Sequence, residues 1–230
     1  MKSSVTKFAA ALFVTLSFFA VPAFAGPPLI CHSFDIGNAK SLPWISHSWN
    51  LEGTESYDTK NLPTDTLSIL DADYTVLVHM ETLRRAALYG QKDPVALKQL
   101  VLKLVARSQA ASSDSAALAS FDLGYFAETL SQVHWINKNA SNPAQGLDAY
   151  ALVKKSIQLR GNDPQIEFAA ALITLDGPVA EQREHAQKAI AGAKSDPLLS
   201  RNLFSHFMSP QSELMSEMIT RNSNTKVAKQ

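Results

Sequence analysis

From Pro63 onward, apolar residues recur at the three- and four-residue spacing of an amphipathic helix, with polar residues between them. Thr64 to Leu70 reads as a short helix, and Asp71 is placed to cap the one that follows. Val76, Met80, Leu83 and Ala87 stand at offsets 0, 4, 7 and 11 in a predicted helix from Asp73 to Tyr89, with Gly90 as its stop. Leu97, Leu100, Val101, Leu104 and Val105 give the next apolar face, at offsets 0, 3, 4, 7 and 8. A longer helix is predicted from Asp114 to Trp135, with Leu118, Phe121 and Tyr125 along one side. Gly124 lies inside it at a cost of about 1 kcal/mol against alanine, so a neighbouring helix is expected to come close there. Tyr150, Val153 and Ile157 mark another stripe, ending at Gly161. Ile166, Ala169, Ala170 and Ile173 follow, then Ala186, Ala189, Ile190 and Ala193, then Leu199, Leu203, His206 and Phe207.

The starts of these segments share a signal. Asp93-Pro94, Asn142-Pro143, Asp163-Pro164, Asp196-Pro197 and Ser209-Pro210 each set a capping side chain before a proline. The cap oxygen accepts a free backbone N–H, and proline lacks the donor that would be orphaned in the first turn. All five are read as helix starts, the last opening a helix from Pro210 to Arg221. Short connections between helices of this length favour antiparallel neighbours. The expected fold is therefore all-α: antiparallel helical hairpins forming either a short solenoid or a compact bundle over residues 63–221, with a frayed tail at 222–230.

Asp163-Pro164 and Asp196-Pro197 are 33 residues apart. Between them, Ala186-x3-Ile190-x2-Ala193 followed by Pro197 resembles the second helix of a tetratricopeptide unit. The first helix departs from that family around Ile173-Thr174, where the large apolar and glycine signature is missing. The resemblance covers about 35 residues and implies a concave, peptide-binding face.

The amino-terminal quarter has another character. Lys2 and Lys7 precede an apolar run from Phe8 to Val21, and Ala23-Phe24-Ala25 has the small-x-small pattern of a signal peptidase site. Residues 1–25 are read as a cleaved leader, the run being short of the about 20 residues a membrane span needs. Residues 26–62 then form a loop-rich arm with Pro27, Pro28, Pro43, Gly37 and Gly53, and a short strand is predicted around Trp44 to Leu51. Trp44 and Trp49 give this arm enough apolar surface to wrap the helical body. The stretch Ile30-Cys31-His32-Ser33-Phe34-Asp35-Ile36-Gly37 resembles the start of uncharacterised exported bacterial proteins, a likeness that carries no activity with it.

Charge narrows the partners. After the leader, 19 basic side chains face 21 acidic ones, a net charge of −2, with no basic stripe for nucleic acid. No later segment has the length and hydropathy of a membrane anchor. Cys31 is the only cysteine, so no internal disulfide staples the fold, and Ile30 before it does not suit lipidation.

Cys31 and His32 are the candidate reactive pair, since a thiol beside an imidazole can ligate metal or act as an activated nucleophile. Asp35 and His47 would extend them to four possible ligands, in a spacing that matches no structural zinc site. No metal or cofactor is assigned. His79, His134 and His206 read as satisfied structural residues, and His185, among Glu181, Arg183 and Glu184, as part of a solvated face. Glu81 with Arg84 and Arg85 gives i,i+3 and i,i+4 charge pairs, read as helix support worth a few tenths of a kcal/mol. The chain contains no Gly-x-Ser-x-Gly, no His-Glu-x-x-His and no phosphate-cradling glycine loop. The leading expectation is an exported protein, periplasmic or secreted, that binds or scaffolds a protein partner through a groove between helix pairs. The alternative is a thiol- or metal-dependent enzyme or binding protein centred on Cys31 and His32. A third reading is self-association through the arm.

Overall fold

The structure, a computed structural model, describes residues 27–44, 56–72, 75–112, 114–161 and 163–207. The leader, His47, Trp49, all of the expected strand but Trp44, the helix expected at 210–221 and the tail lie outside these residues. Within them the protein is all-α, with α1 (Pro28–Cys31), α2 (Leu62–Ala72), α3 (Val76–Gly90), α4 (Pro94–Ala110), α5 (Asp114–Ile136), α6 (Ala149–Arg160), α7 (Pro164–Ile173), α8 (Val179–Gly192) and α9 (Pro197–Phe207). None of these helices is long and apolar enough to cross a membrane.

Three of the aspartate–proline pairs start helices as their chemistry requires. Asp93 accepts from the Ala96 N–H at 3.0 Å, Asp163 from Gln165 at 2.9 Å, and Asp196 from Leu199 at 2.9 Å. Asn142-Pro143 does not. Asn142 accepts from the Ala144 N–H at 3.1 Å and closes a turn, Gly146 then takes a φ of 91°, and α6 begins only at Ala149 under an Asp148 cap. An Asx side chain satisfies the N–H two residues on equally well in a turn or a helix, so the dipeptide alone does not separate them. Asp71 is likewise no cap, lying inside α2 while Thr75 precedes α3. The Leu77 N–H of α3 is instead met by the side chain of Gln165 from α7, at 3.1 Å.

The core is built on α3 and α5. In α3 every residue except Arg85 is buried, and α5 is buried continuously from Ala117 to Ala127. Helix α5 packs on α3, α4 and α6, and α7 packs on α8. Two glycines set the closest approaches. A Cβ on Gly124 would stand 2.7 Å from the Ala149 carbonyl oxygen and 2.8 Å from Leu152 Cβ, the close neighbour that its place in α5 called for. A Cβ on Gly192 would stand 2.2 Å from Pro164 Cβ, so the last residue of α8 lies against the first of α7 and the two run antiparallel.

Residues 27–44 lie as a strap over this body. Their first turn is the short helix α1, where the sequence suggested only extended chain; Pro28 in its first turn has no donor to leave unpaired. Leu29, Ile30, Phe34 and Leu42 are buried, and Phe34 packs edge-on to Tyr125 of α5 and Phe168 of α7.

Candidate functional site

The strap is fastened by polar groups on α3 and α9. Glu81 accepts from the Phe34 N–H at 3.0 Å and from Arg84 at 2.8 and 2.9 Å, and Arg85 reaches its other oxygen at 2.7 Å. The two guanidiniums then donate to strap carbonyls, Arg84 to Ile30 at 3.1 Å and Arg85 to Leu42 at 2.5 Å. Tyr89 donates to the Pro43 carbonyl at 2.6 Å. The triad does more than support its own helix, since Glu81 is 0% and Arg84 1% exposed and all three residues hold the strap. Burial works to raise the Glu81 carboxyl, but the hydrogen bonds and charge of Arg84, the charge of Arg85 and the Phe34 N–H together hold it below the usual glutamate range. On the α9 side, Asn202 pairs with the backbone of Asp35 in both directions, at 2.9 and 2.8 Å, and Arg201 reaches the Asp35 carboxylate at 2.6 Å.

Cys31 ends α1, half-buried, and His32 is exposed. Burial raises the Cys31 thiol, and the charge of Arg84 offsets this only in part. A raised thiol carries little thiolate at neutral pH, the reverse of what an activated nucleophile needs. The His32 ring is set edge-on to His206, with centroids 5.8 Å apart, and Asp35 is engaged by α9 and by the Gly37 N–H at 2.9 Å. Among the described residues no group of three or more histidine, cysteine or acidic side chains is placed to hold a metal ion.

A second cluster joins α6, α7 and α8. The Tyr150 hydroxyl lies 2.7 Å from His185 Nε2, and His185 Nδ1 lies 2.5 Å from a carboxylate oxygen of Glu167. Lys188 stands 3.5 Å from the other Glu167 oxygen and 2.8 Å from Glu184. His185 is thus no member of a solvated face; it is 8% exposed because the wholly buried Glu167 draws it inward. Hydroxyl, imidazole and carboxylate in line is an arrangement that can pass a proton. Here burial, followed by the charges of Glu181 and Glu167, raises the Tyr150 phenol and keeps it protonated. The phenol also reaches the Glu181 carboxylate, so the direction of the Tyr150–His185 bond follows the tautomer of the ring. Tyr150 was read from the sequence only as part of an apolar stripe and Glu167 not at all, though a lone acid within the apolar stretch Ile166 to Ile173 was the available signal. Tyr150→Phe is expected to cost about 1 kcal/mol in urea unfolding by stripping Nε2 of its partner. An unchanged midpoint would show that water replaces the hydroxyl.

His79 and His134 are also tied into the fold. His79 Nδ1 lies 2.5 Å from Asp122, both fully buried, and Arg107 pairs with Asp122 and, at 3.0 Å, with Asp71. His134 Nδ1 meets the Ala140 carbonyl at 3.1 Å. A cleft of about 410 Å³ opens where α3, α7 and α9 begin, lined by Thr75, Arg160, Asp163, Gln165 and Asp196. Its acids are occupied: Asp163 with Arg160 at 3.0 Å, Asp196 with Gln165 at 2.6 Å, and both as caps. The surface also carries large apolar groups, among them Phe204 on α9, Val95 and Leu102 on α4, and the adjacent Trp135 and Ile136 that close α5. No protein-family model, curated protein or solved structure matches this chain.

Proposed function

We propose that this is an exported helical protein that works by binding a protein partner rather than by catalysis. The observation that carries the reading is Trp135, 67% exposed at the end of α5 beside the exposed Ile136, two residues beyond the buried Val133. A tryptophan left in water on a rigid element is the side chain that most often anchors a protein interface. The buried histidines and acids support the same reading, because they are engaged with one another inside the fold. The resemblance of the Asp163 to Pro197 stretch to a tetratricopeptide unit points the same way, that family being one of peptide binders. The leader-like residues 1–25 favour the periplasm or the exterior as the place of action.

A photo-crosslinking residue placed at Trp135 in exporting cells is expected to give a discrete adduct with another protein. The same residue at the exposed Gln187 of α8 is expected to give none. Trp135→Ser should leave unfolding stability within about 0.5 kcal/mol, as for an ordinary surface change. No adduct at position 135, or equal adducts at both positions, would overturn the proposal.

A further inference from the structure

Two of the fasteners that α9 sets on the strap share one helical turn. Asn202 binds the backbone of Asp35, and four residues on, the His206 ring stacks on Phe34 with centroids 4.5 Å apart and planes 7° from parallel. The ring is also edge-on to Phe168, at 5.6 Å, and to His32, at 5.8 Å. Its Nδ1 lies 2.9 Å from the Asn202 carbonyl, while Nε2 is sealed from solvent without a hydrogen-bond partner among the described residues. A neutral imidazole fits this place, with its proton on Nδ1 and an unprotonated Nε2 that brings no donor to satisfy. An imidazolium fits it less well, because it puts a charge where water is excluded and beside His32, which the neighbouring His32 backbone offsets only in part.

We propose that the joint between the strap and α9 is an acid-operated latch, in which protonation of His206 breaks its stack on Phe34 and frees the strap from the carboxy-terminal helix. The titratable groups facing the ring are His32 from the strap and Glu81 from α3; α7 presents only Phe168. From α5, Tyr125 packs on Phe34, and its phenol is kept protonated by burial. Burial pushes His206 down to about 4 and outweighs the raising effects of the Asn202 carbonyl, Glu81 and the His32 backbone, while the His32 charge acts with burial. A cation face-on to Phe34 gains too little to reverse that order. Since the docked ring has the lowered value, docking is complete above about pH 6.5 and is lost as the pH falls toward about 4.

Hydrogen exchange of the full chain at pH 7.5 and pH 4.5, corrected for intrinsic rates, tests this. The strap amide that α9 holds, that of Asp35 on Asn202, should open on the order of 100-fold more often at the lower pH. His206→Phe keeps the stack and cannot titrate, so its strap should stay protected at both values. Unchanged protection in the wild type, or equal loss in His206→Phe, would overturn the latch; the second result would assign the acid response to Asp35 or Glu81. Should His206→Phe not fold, the ring-proton titration of wild-type His206 decides. A midpoint near 4 that coincides with strap opening supports the latch, and one near 6.5 with the strap still protected overturns it.

Discussion

Arg84→Ala is expected to lower the unfolding stability by about 3–5 kcal/mol, the range found when one partner of a buried ion pair is removed. Arg84 covers two hydrogen bonds to Glu81 and one to the Ile30 carbonyl, and its guanidinium lies 4.9 Å over the Trp44 ring. Without it, Glu81 keeps Arg85 and the Phe34 N–H, which do not neutralise a wholly buried carboxylate as two guanidiniums do. The mutant carboxyl should therefore titrate higher. In the wild type its lowered value makes the contribution complete at neutral pH, with loss only as the pH falls through the depressed range. The matched control is Glu81→Leu with Arg84→Met, which removes both charges at similar volume. That double variant should recover most of the loss in a urea titration, and a double-mutant cycle then isolates the pair. A cost below about 1 kcal/mol for Arg84→Ala would mean that water reaches the cluster and relaxes it.

Gly192→Ala carries the second large effect, a net loss of about 1–3 kcal/mol despite the helix propensity of alanine, which favours the change by about 1 kcal/mol. The new Cβ would fall 2.2 Å from Pro164 Cβ and 2.5 Å from its Cγ, inside any attainable contact. Pro164 cannot yield easily, because its ring is closed on the backbone and stands at the capped start of α7. The helices would have to part, loosening Ala169, Ala186 and Ala189, all buried small residues of this pair. Gly124→Ala should behave alike, since its obstacle is a backbone oxygen and not the movable tip of a side chain. Thermal unfolding measures both, and a raised midpoint for Gly192→Ala would show that α7 and α8 slide without penalty.

Sequence periodicity revealed the helices more fully than their contents. The caps at Asp93, Asp163 and Asp196 were legible because each satisfies a donor only a few residues away. Gly124 was legible because a glycine inside a long apolar helix has a cost that close packing explains. The chemistry inside was not. Glu81, Arg84 and Arg85 have the spacing of a surface pairing whether the helix faces water or core, and only the strap, more than 35 residues earlier, decides which. Asp122 and Glu167 show what could have been read: each is an isolated acid in an apolar run, and such an acid needs a buried partner. The identity of that partner, Arg107 and His79 for one and His185 for the other, depends on packing between helices and not on spacing within them.

The strap also bears on how the chain comes together when it emerges amino end first, from a ribosome or through a translocation channel. Phe34 and Leu42 appear before any of the surfaces that bury them, and the Asn202 side chain that holds Asp35 arrives 167 residues later. Closing so long a loop is slow more than it is unfavourable, because its entropic cost grows only with the logarithm of length. The helical body can assemble while the strap waits, so its docking onto α9 belongs to the final stage of maturation. Until then the nascent chain displays an apolar segment ahead of its helical body, a handle for whatever chaperone escorts it and a hazard wherever none does.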